Sequence, residues 1–234
     1  MEKVVINILG EKILIITAHP DDEAFLATGL IYKNKEQGGT TYLYSATVGE
    51  QGNAYVDPAT SMEDLKILRK KELENAVEYL GINKIILDNF PDRDLEHHTE
   101  KLKNRINEIV IQEKPGCIVG FGKNGYTGHK DHIAIGLIAE EIAHRNAIPY
   151  LAFCHPPKNL FGDISEFLIK KRAKGSYFEE IENQEPNISI TIDGEIKLNA
   201  LKIYQSQFPG LDPYKIFPEE IAKHLLENEY FILK

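Results

Sequence analysis

The segment Ala18-His19-Pro20-Asp21-Asp22-Glu23 carries one imidazole and three carboxylates within five consecutive positions, His19 to Glu23. Like charges so crowded repel one another unless a cation or a reaction uses them. A second cluster, Gly128-His129-Lys130-Asp131-His132, lies more than a hundred residues further on. Zinc takes nitrogen and oxygen donors, and a catalytic zinc keeps three protein ligands and an open position for water. His19 and Asp22, with two residues between them in a turn, can face one ion, and His132 can complete the set from the second cluster. Asp21 is then free to take a proton from the bound water, whose pKa zinc lowers to about 7. His129 falls outside the metal set and is placed to donate a hydrogen bond to an oxyanion or to protonate a leaving amine. Asp131 is a partner that could orient a neighbouring imidazole. Two histidines and one carboxylate also suit iron(II) or cobalt(II), so zinc is the expected ion among three.

Each of these features has an ordinary structural reading. Asp21, Asp22 and Glu23 are acidic residues of the kind that favour a helix N-terminus, where Pro20 also fits. Asp131 reads equally as an N-cap, and a single histidine is most often a surface or core residue. Two such clusters at strand ends, together holding every residue type one zinc hydrolase needs, favour the chemical reading.

The elements that must position the clusters follow from periodicity. The apolar run within Lys12–Thr17 reads as a buried strand, so the first cluster sits just beyond a strand's carboxyl end, where open α/β sheets place their ligands. Glu23–Gln37 reads as a helix closed by Gly38-Gly39, and Thr40–Thr47 as a strand followed by the loop Val48–Ala59. Ser61, with Asp64 three residues on, opens a helix with Leu65, Leu68, Leu73, Ala76 and Leu80 on one face, ended by Gly81. Lys84–Leu87 reads as a strand and Thr99–Glu113 as a helix with Leu102, Ile106 and Ile109 inward. Gly116–Phe121 reads as a strand, Asp131–Asn146 as a helix and Tyr150–Cys154 as a strand. Such alternation implies crossover βαβ units and a mostly parallel sheet covered on both faces. The second cluster then lies on the same sheet rim as the first.

After Cys154 the pattern changes. His155–Asn187 shows no clear period and reads as either a flap or an edge hairpin. Ile188–Ile192 alternates like an edge strand, and helices are expected at Ile196–Ser206 and Pro218–Glu227. The economical division is one domain over 1–234, with a core over about 1–154 and a C-terminal extension over about 155–234.

The chain has 234 residues, 42% of them hydrophobic and 27% charged, as expected of a globular protein with a full core. A formal charge of -9 argues against nucleic acid or an anionic membrane as the main partner. Cys117 and Cys154 fall in expected buried strands and form no disulfide framework. Charges interrupt the N-terminal apolar stretches, so neither a signal peptide nor a membrane anchor is expected, and a cytoplasmic protein is. Whether identical chains assemble is left open.

The paired motifs resemble those of the LmbE-like, or PIG-L-like, N-acetylglucosaminyl deacetylases. Thr47-Val48-Gly49-Glu50-Gln51-Gly52 looks like that family's loop after the second strand. Arg69, Glu72, Leu73 and Leu80-Gly81 look like its next helix, and Pro91-Asp92 and Ser206-Gln207 match weaker marks. The resemblance implies a Rossmann-like three-layer sandwich and zinc-dependent removal of an N-acetyl group from an amino sugar. It implies His19, Asp22 and His132 as zinc ligands, Asp21 as general base, and His129 as oxyanion stabiliser and acid. It makes Arg69 a substrate contact, Tyr126 a possible oxyanion donor near the substrate, and Glu23 a supporting or helix-terminal residue. The family usually has a histidine before its Ser-Gln mark, where this chain has Tyr204, and its tyrosine before the second motif is offset by one from Tyr126. A monosaccharide, a GlcNAc-malate conjugate, a chitobiose-like disaccharide and a lipid-linked sugar all remain open as substrates. The loops Gly49–Ala59 and His155–Asn187 are expected to set the choice. Competing functions are an amidase or esterase for another acyl group, or a non-catalytic sugar- or nucleotide-binding module. The last is disfavoured because carboxylates stand where a phosphate loop would need glycines.

Overall fold

The computed structural model describes residues 8–52, 55–157, 185–216 and 218–234. Ile13-Leu14-Ile15-Ile16 is a continuous apolar run because β1 (Lys12–Thr17) is central and covered on both faces. It pairs in parallel with β2 (Thr40–Ser45) on one side and with β4 (Cys117–Phe121) on the other. β3 (Lys84–Leu87) adds beside β2, and β5 (Tyr150–Cys154) beside β4, both parallel. Two antiparallel strands, β6 (Ile188–Thr191) and β7 (Asn228–Leu233), finish a sheet of order β3-β2-β1-β4-β5-β7-β6. The chain order reverses between β1 and β4, which opens a crevice at their carboxyl ends.

Helices α1 (Asp22–Leu26), α2 (Thr28–Glu36) and α3 (Met62–Leu80) follow the first strands, while α4 (Thr99–Glu113) and α5 (Lys130–Arg145) pack on each other after β3 and β4. α6 (Gly194–Ile203) and α7 (Glu219–Glu227) pack on each other, and α6 also lies against α2 and α3. The expected α/β sandwich is therefore present. Among the described residues no helix is long and apolar enough to cross a membrane.

Three local expectations are corrected. The helix expected over Glu23–Gln37 is broken at Ala27, whose backbone (φ -135°) leaves the start of α2 without a local side-chain cap. Glu229 supplies the cap from β7, its carboxylate accepting from Gly29 N (2.9 Å) and Leu30 N (3.1 Å) while Lys197 Nζ lies 3.3 Å away. β7 itself was not expected: it starts directly where α7 ends, with no turn residue to announce it. Leu68 is 40% exposed, because the inward stripe of α3 is Leu65, Arg69, Glu72, Leu73, Ala76 and Leu80 and so includes two charged residues. Most of His155–Asn187, read as a flap or hairpin, lies outside the described residues.

Candidate metal centre

Both motifs open at the β1/β4 crevice. After β1 the chain turns sharply, and Asp22 Oδ2 accepts from Ala18 N (3.1 Å) and His19 N (2.9 Å), leaving Oδ1 to face across the crevice. After β4 the chain makes a single turn at Gly125–Gly128 and enters α5, capped by His129 Nδ1 accepting from Asp131 N (3.2 Å). The N-cap is thus His129. The alternative reading of Asp131 as the cap is corrected: its side chain turns inward and is fully buried.

The donor atoms converge. His19 Nδ1 lies 3.1 Å from His132 Nε2 and 3.7 Å from Asp22 Oδ2, and His132 Nε2 lies 3.3 Å from Asp22 Oδ1. Donors bound tetrahedrally to zinc at about 2.0–2.2 Å stand about 3.3–3.5 Å apart, close to the separations of His132 Nε2 from His19 Nδ1 and from Asp22 Oδ1. The far nitrogens settle the tautomers. His132 Nδ1 is 3.0 Å from Gly125 O, an acceptor only, so Nδ1 carries the hydrogen and Nε2 the lone pair. His19 Nε2 faces Asp92 Oδ1 (3.0 Å) and Asp131 Oδ2 (3.1 Å) and so carries a hydrogen, while its Nδ1 is directed at His132. A lone pair on each nitrogen would face the other at hydrogen-bond distance, a contact that a proton on His19 Nδ1 or a cation between the two relieves. Burial opposes charge on His19, yet its bonds to Asp131 and Asp92 push it up to about 10, which favours a proton on Nδ1 as well, donating to His132 Nε2. Burial likewise pushes Asp22 up, but the two imidazoles hold it well below the usual carboxylate range. His19, His129 and His132 form one possible metal-holding group, and His19, Asp92 and Asp131 another that shares His19.

Asp21 stands beside this set. Its backbone is left-handed (φ 101°, ψ -27°) and its carboxylate Oδ2 lies 3.5 Å from Arg69 Nη2. Burial pushes its carboxyl up to about 6 against the pull of Arg69. The His129 ring lies 4.9 Å from His19 and 4.8 Å from His132 between centroids. With Nδ1 accepting from the backbone, His129 carries its hydrogen on Nε2. Asp131 accepts from Arg93 N (2.6 Å), Leu95 N (3.0 Å) and His19, so the imidazole it orients is that of His19.

Arg69 and Tyr126 are placed differently from the cluster residues. Arg69 is buried and donates to Pro20 O (2.5 Å), and its Nε and Nη1 find no partner among the described residues. It lies under the loop after β2, where Gly49 (φ 69°) has no room for a side chain: a Cβ there would collide with the guanidinium. Gly49→Ala is therefore expected to cost about 2–4 kcal/mol, from left-handed strain and overpacking together, read by urea unfolding. An unchanged midpoint would show that the guanidinium can move aside. The Tyr126 ring stacks on His155 (3.9 Å) and meets Phe25 edge-on (6.3 Å). It lines a cavity of about 430 Å³ together with Phe25, Phe153, Leu201, Phe208 and Leu226, and no hydrogen bond joins it to the histidine cluster among the described residues.

Asp92 was read from the sequence only as a weak family mark. It holds His19 and is itself held by Gln51 N (2.9 Å), while its N–H donates to Glu50 Oε1 (3.1 Å). Its one sequence signal was an acidic residue shortly after the end of β3, on the same rim.

The sequence pattern of the PIG-L family, described as GlcNAc-PI de-N-acetylase, matches residues 14–143, a span that contains every donor named above. The chain belongs to the PIG-L family. Within the curated relatives it is 37% identical to the probable N-acetyl-alpha-D-glucosaminyl L-malate deacetylase 2 of Bacillus subtilis, over 94% of this chain and 91% of that protein. It is 28% identical to the diacetylchitobiose deacetylase of Thermococcus kodakarensis, over 85% and 71% respectively. The solved N,N'-diacetylchitobiose deacetylase of Pyrococcus horikoshii superposes on this PIG-L-family chain with a TM-score of 0.64, covering 95% of it and 83% of that chain. At 22% identity that likeness is one of fold.

Proposed function

We propose that this chain is a metal-dependent N-deacetylase that hydrolyses the acetamide of an N-acetylglucosamine-type amino sugar or its conjugate. The observation that carries the reading is the convergence of His19, Asp22 and His132 on one point, with the Asp21 carboxylate and the His129 Nε2 hydrogen left over beside it. The relatives named above are deacetylases of N-acetylated sugars, which supports the same reading.

His19 Nδ1, His132 Nε2 and an Asp22 oxygen would hold the ion, zinc by preference for this donor set. An ion held there supplies an acidified water and Lewis-acid polarisation of the amide carbonyl. Asp21 takes a proton from the attacking water and passes it to the leaving nitrogen, so that acetate and a free amine result. His129 donates its Nε2 hydrogen to the oxygen that becomes negative during attack, an interaction that grows towards the transition state. Asp92 and Asp131 hold the His19 ring by its Nε2 hydrogen, so that Nδ1 would stay turned towards an ion. Arg69 fixes the Pro20–Asp21 peptide and keeps a positive charge beside the base.

The test is acetate release by the metal-loaded chain from N-acetylglucosamine, its malate conjugate and N,N'-diacetylchitobiose, with an aryl acetate beside them. Release from at least one amino sugar, abolished by a chelator and restored by zinc, is the expected result. Turnover of the aryl acetate alone would make the enzyme an esterase on the same residues.

A further inference from the structure

Three segments distant in sequence meet behind Asp21. The Pro20–Asp21 peptide is held on both sides: Arg69 Nη2 donates to Pro20 O (2.5 Å), and Asp21 N donates to Glu23 Oε2 (3.2 Å). Left-handed backbone at a residue other than glycine costs about 1–3 kcal/mol and persists only where its surroundings hold it. Glu23 is one of those surroundings, and its other oxygen, Oε1, accepts from the Tyr204 hydroxyl. Both side chains are fully buried.

Tyr204 is itself anchored. Ser206 gives its N–H (2.8 Å) and its hydroxyl (2.6 Å) to the two oxygens of Glu72 on α3. Gln207 Nε2 donates to Gly52 O (2.7 Å) in the loop over Arg69. The stretch Tyr204–Gln207 is thus docked on α3 and on the loop after β2, and its hydroxyl meets Glu23 at a fixed place. A buried carboxylate oxygen without a partner is costly, so loss of this hydroxyl would turn Glu23 towards another donor and release the Asp21 N–H.

We propose that Tyr204 is a positioning residue for the reaction: acting through Glu23, it holds the Asp21 backbone at the angle that brings the carboxylate to the attacking water. This rests on Asp21 being the base. Misplacement by about 1 Å can cost about 10²-fold in rate without weakening binding.

The test compares wild type, Tyr204→Phe and Tyr204→His, each full-length and metal-loaded, by kcat, KM, metal content and thermal midpoint. Tyr204→Phe is expected to lower kcat about 10–100-fold with KM within about twofold and metal content unchanged, and Tyr204→His to recover part of kcat. A lowered midpoint with unchanged kcat per metal-loaded chain would overturn the proposal and leave Tyr204 structural. Should Tyr204→Phe fail to fold, Glu23→Met tests the same link. Methionine takes the acceptor from both the Asp21 N–H and the Tyr204 hydroxyl at nearly the same side-chain shape, so kcat falls with metal content unchanged, and an unchanged kcat overturns the proposal. A wild type that releases no acetate overturns the deacetylase reading and this one with it. An active wild type matched by Tyr204→Phe overturns only the positioning role.

Discussion

Replacing Asp21 by asparagine is expected to lower kcat for acetate release by about 10²–10⁴-fold, the contribution of a general base, while metal content stays at the wild-type level. The choice of asparagine isolates the chemistry. Asparagine tolerates the left-handed backbone that Asp21 adopts, whereas alanine there would add strain to the loss of the carboxylate. The amide can still approach Arg69 Nη2, now 3.5 Å from Asp21 Oδ2, but it cannot take a proton from water. The three proposed ligands are untouched, since Asp22 and not Asp21 lies within 3.3 Å of His132. Parallel measurement of kcat and of metal per chain decides the roles. Loss of metal in Asp21→Asn would make this carboxylate a ligand and transfer the base role elsewhere.

Much of the architecture was legible because the information was local. β4 and β5 are buried along their whole length and β1 from Ile13 onward, so they read as apolar runs, and the helices between them carry caps such as Ser61, which accepts from Asp64 N (3.1 Å), and Gly81 at φ 72°. What was not legible depends on contacts distant in sequence. The break at Ala27 makes sense only once Glu229, two hundred positions away, caps α2. β7 is short of apolar alternation because one of its inward residues is that same glutamate, and a strand with a charged inward position does not resemble one. On α3, Arg69 and Glu72 look like solvent-facing residues until Pro20 and Ser206 are seen to be their partners.

The site divides in the same way. His19, Asp22, His129 and His132 lie in two compact motifs at adjacent strand ends, so their meeting could be argued from topology. Asp92 comes from a third rim loop, Asp88–His98, which also carries Asp88, Asp94, Glu96, His97 and His98, and nothing in that crowd marks the one residue that turns inward to His19. The link from Tyr204 to Glu23 crosses 181 positions and joins two ordinary residue types. Residue chemistry concentrated in a motif is readable, whereas the partners that aim it are scattered through the fold and carry no signature of their own.

His132→Ala is expected to reduce bound metal from about one ion per chain to little, with loss of acetate release. His132 Nε2 is the nitrogen 3.1 Å from His19 Nδ1 and 3.3 Å from Asp22 Oδ1, so its removal leaves two donors where a catalytic zinc needs three. The ring also stacks on Phe121 at 3.9 Å and 10°, and the variant leaves a small void there, so thermal midpoint is measured beside metal content to separate unfolding from lost affinity. Asp131→Asn sets the scale. It keeps all three donors but weakens the bond at His19 Nε2 and the acceptance of the Arg93 and Leu95 N–H groups, so its metal affinity should fall only about 10–100-fold, as for other residues that orient a ligand. Competition against a chelator of known affinity places the three proteins in order, wild type above Asp131→Asn above His132→Ala. Full metal content in folded His132→Ala would remove this residue from the ligand set and point to His19, Asp92 and Asp131 as the ion's holders, because these also lie close enough together to share one.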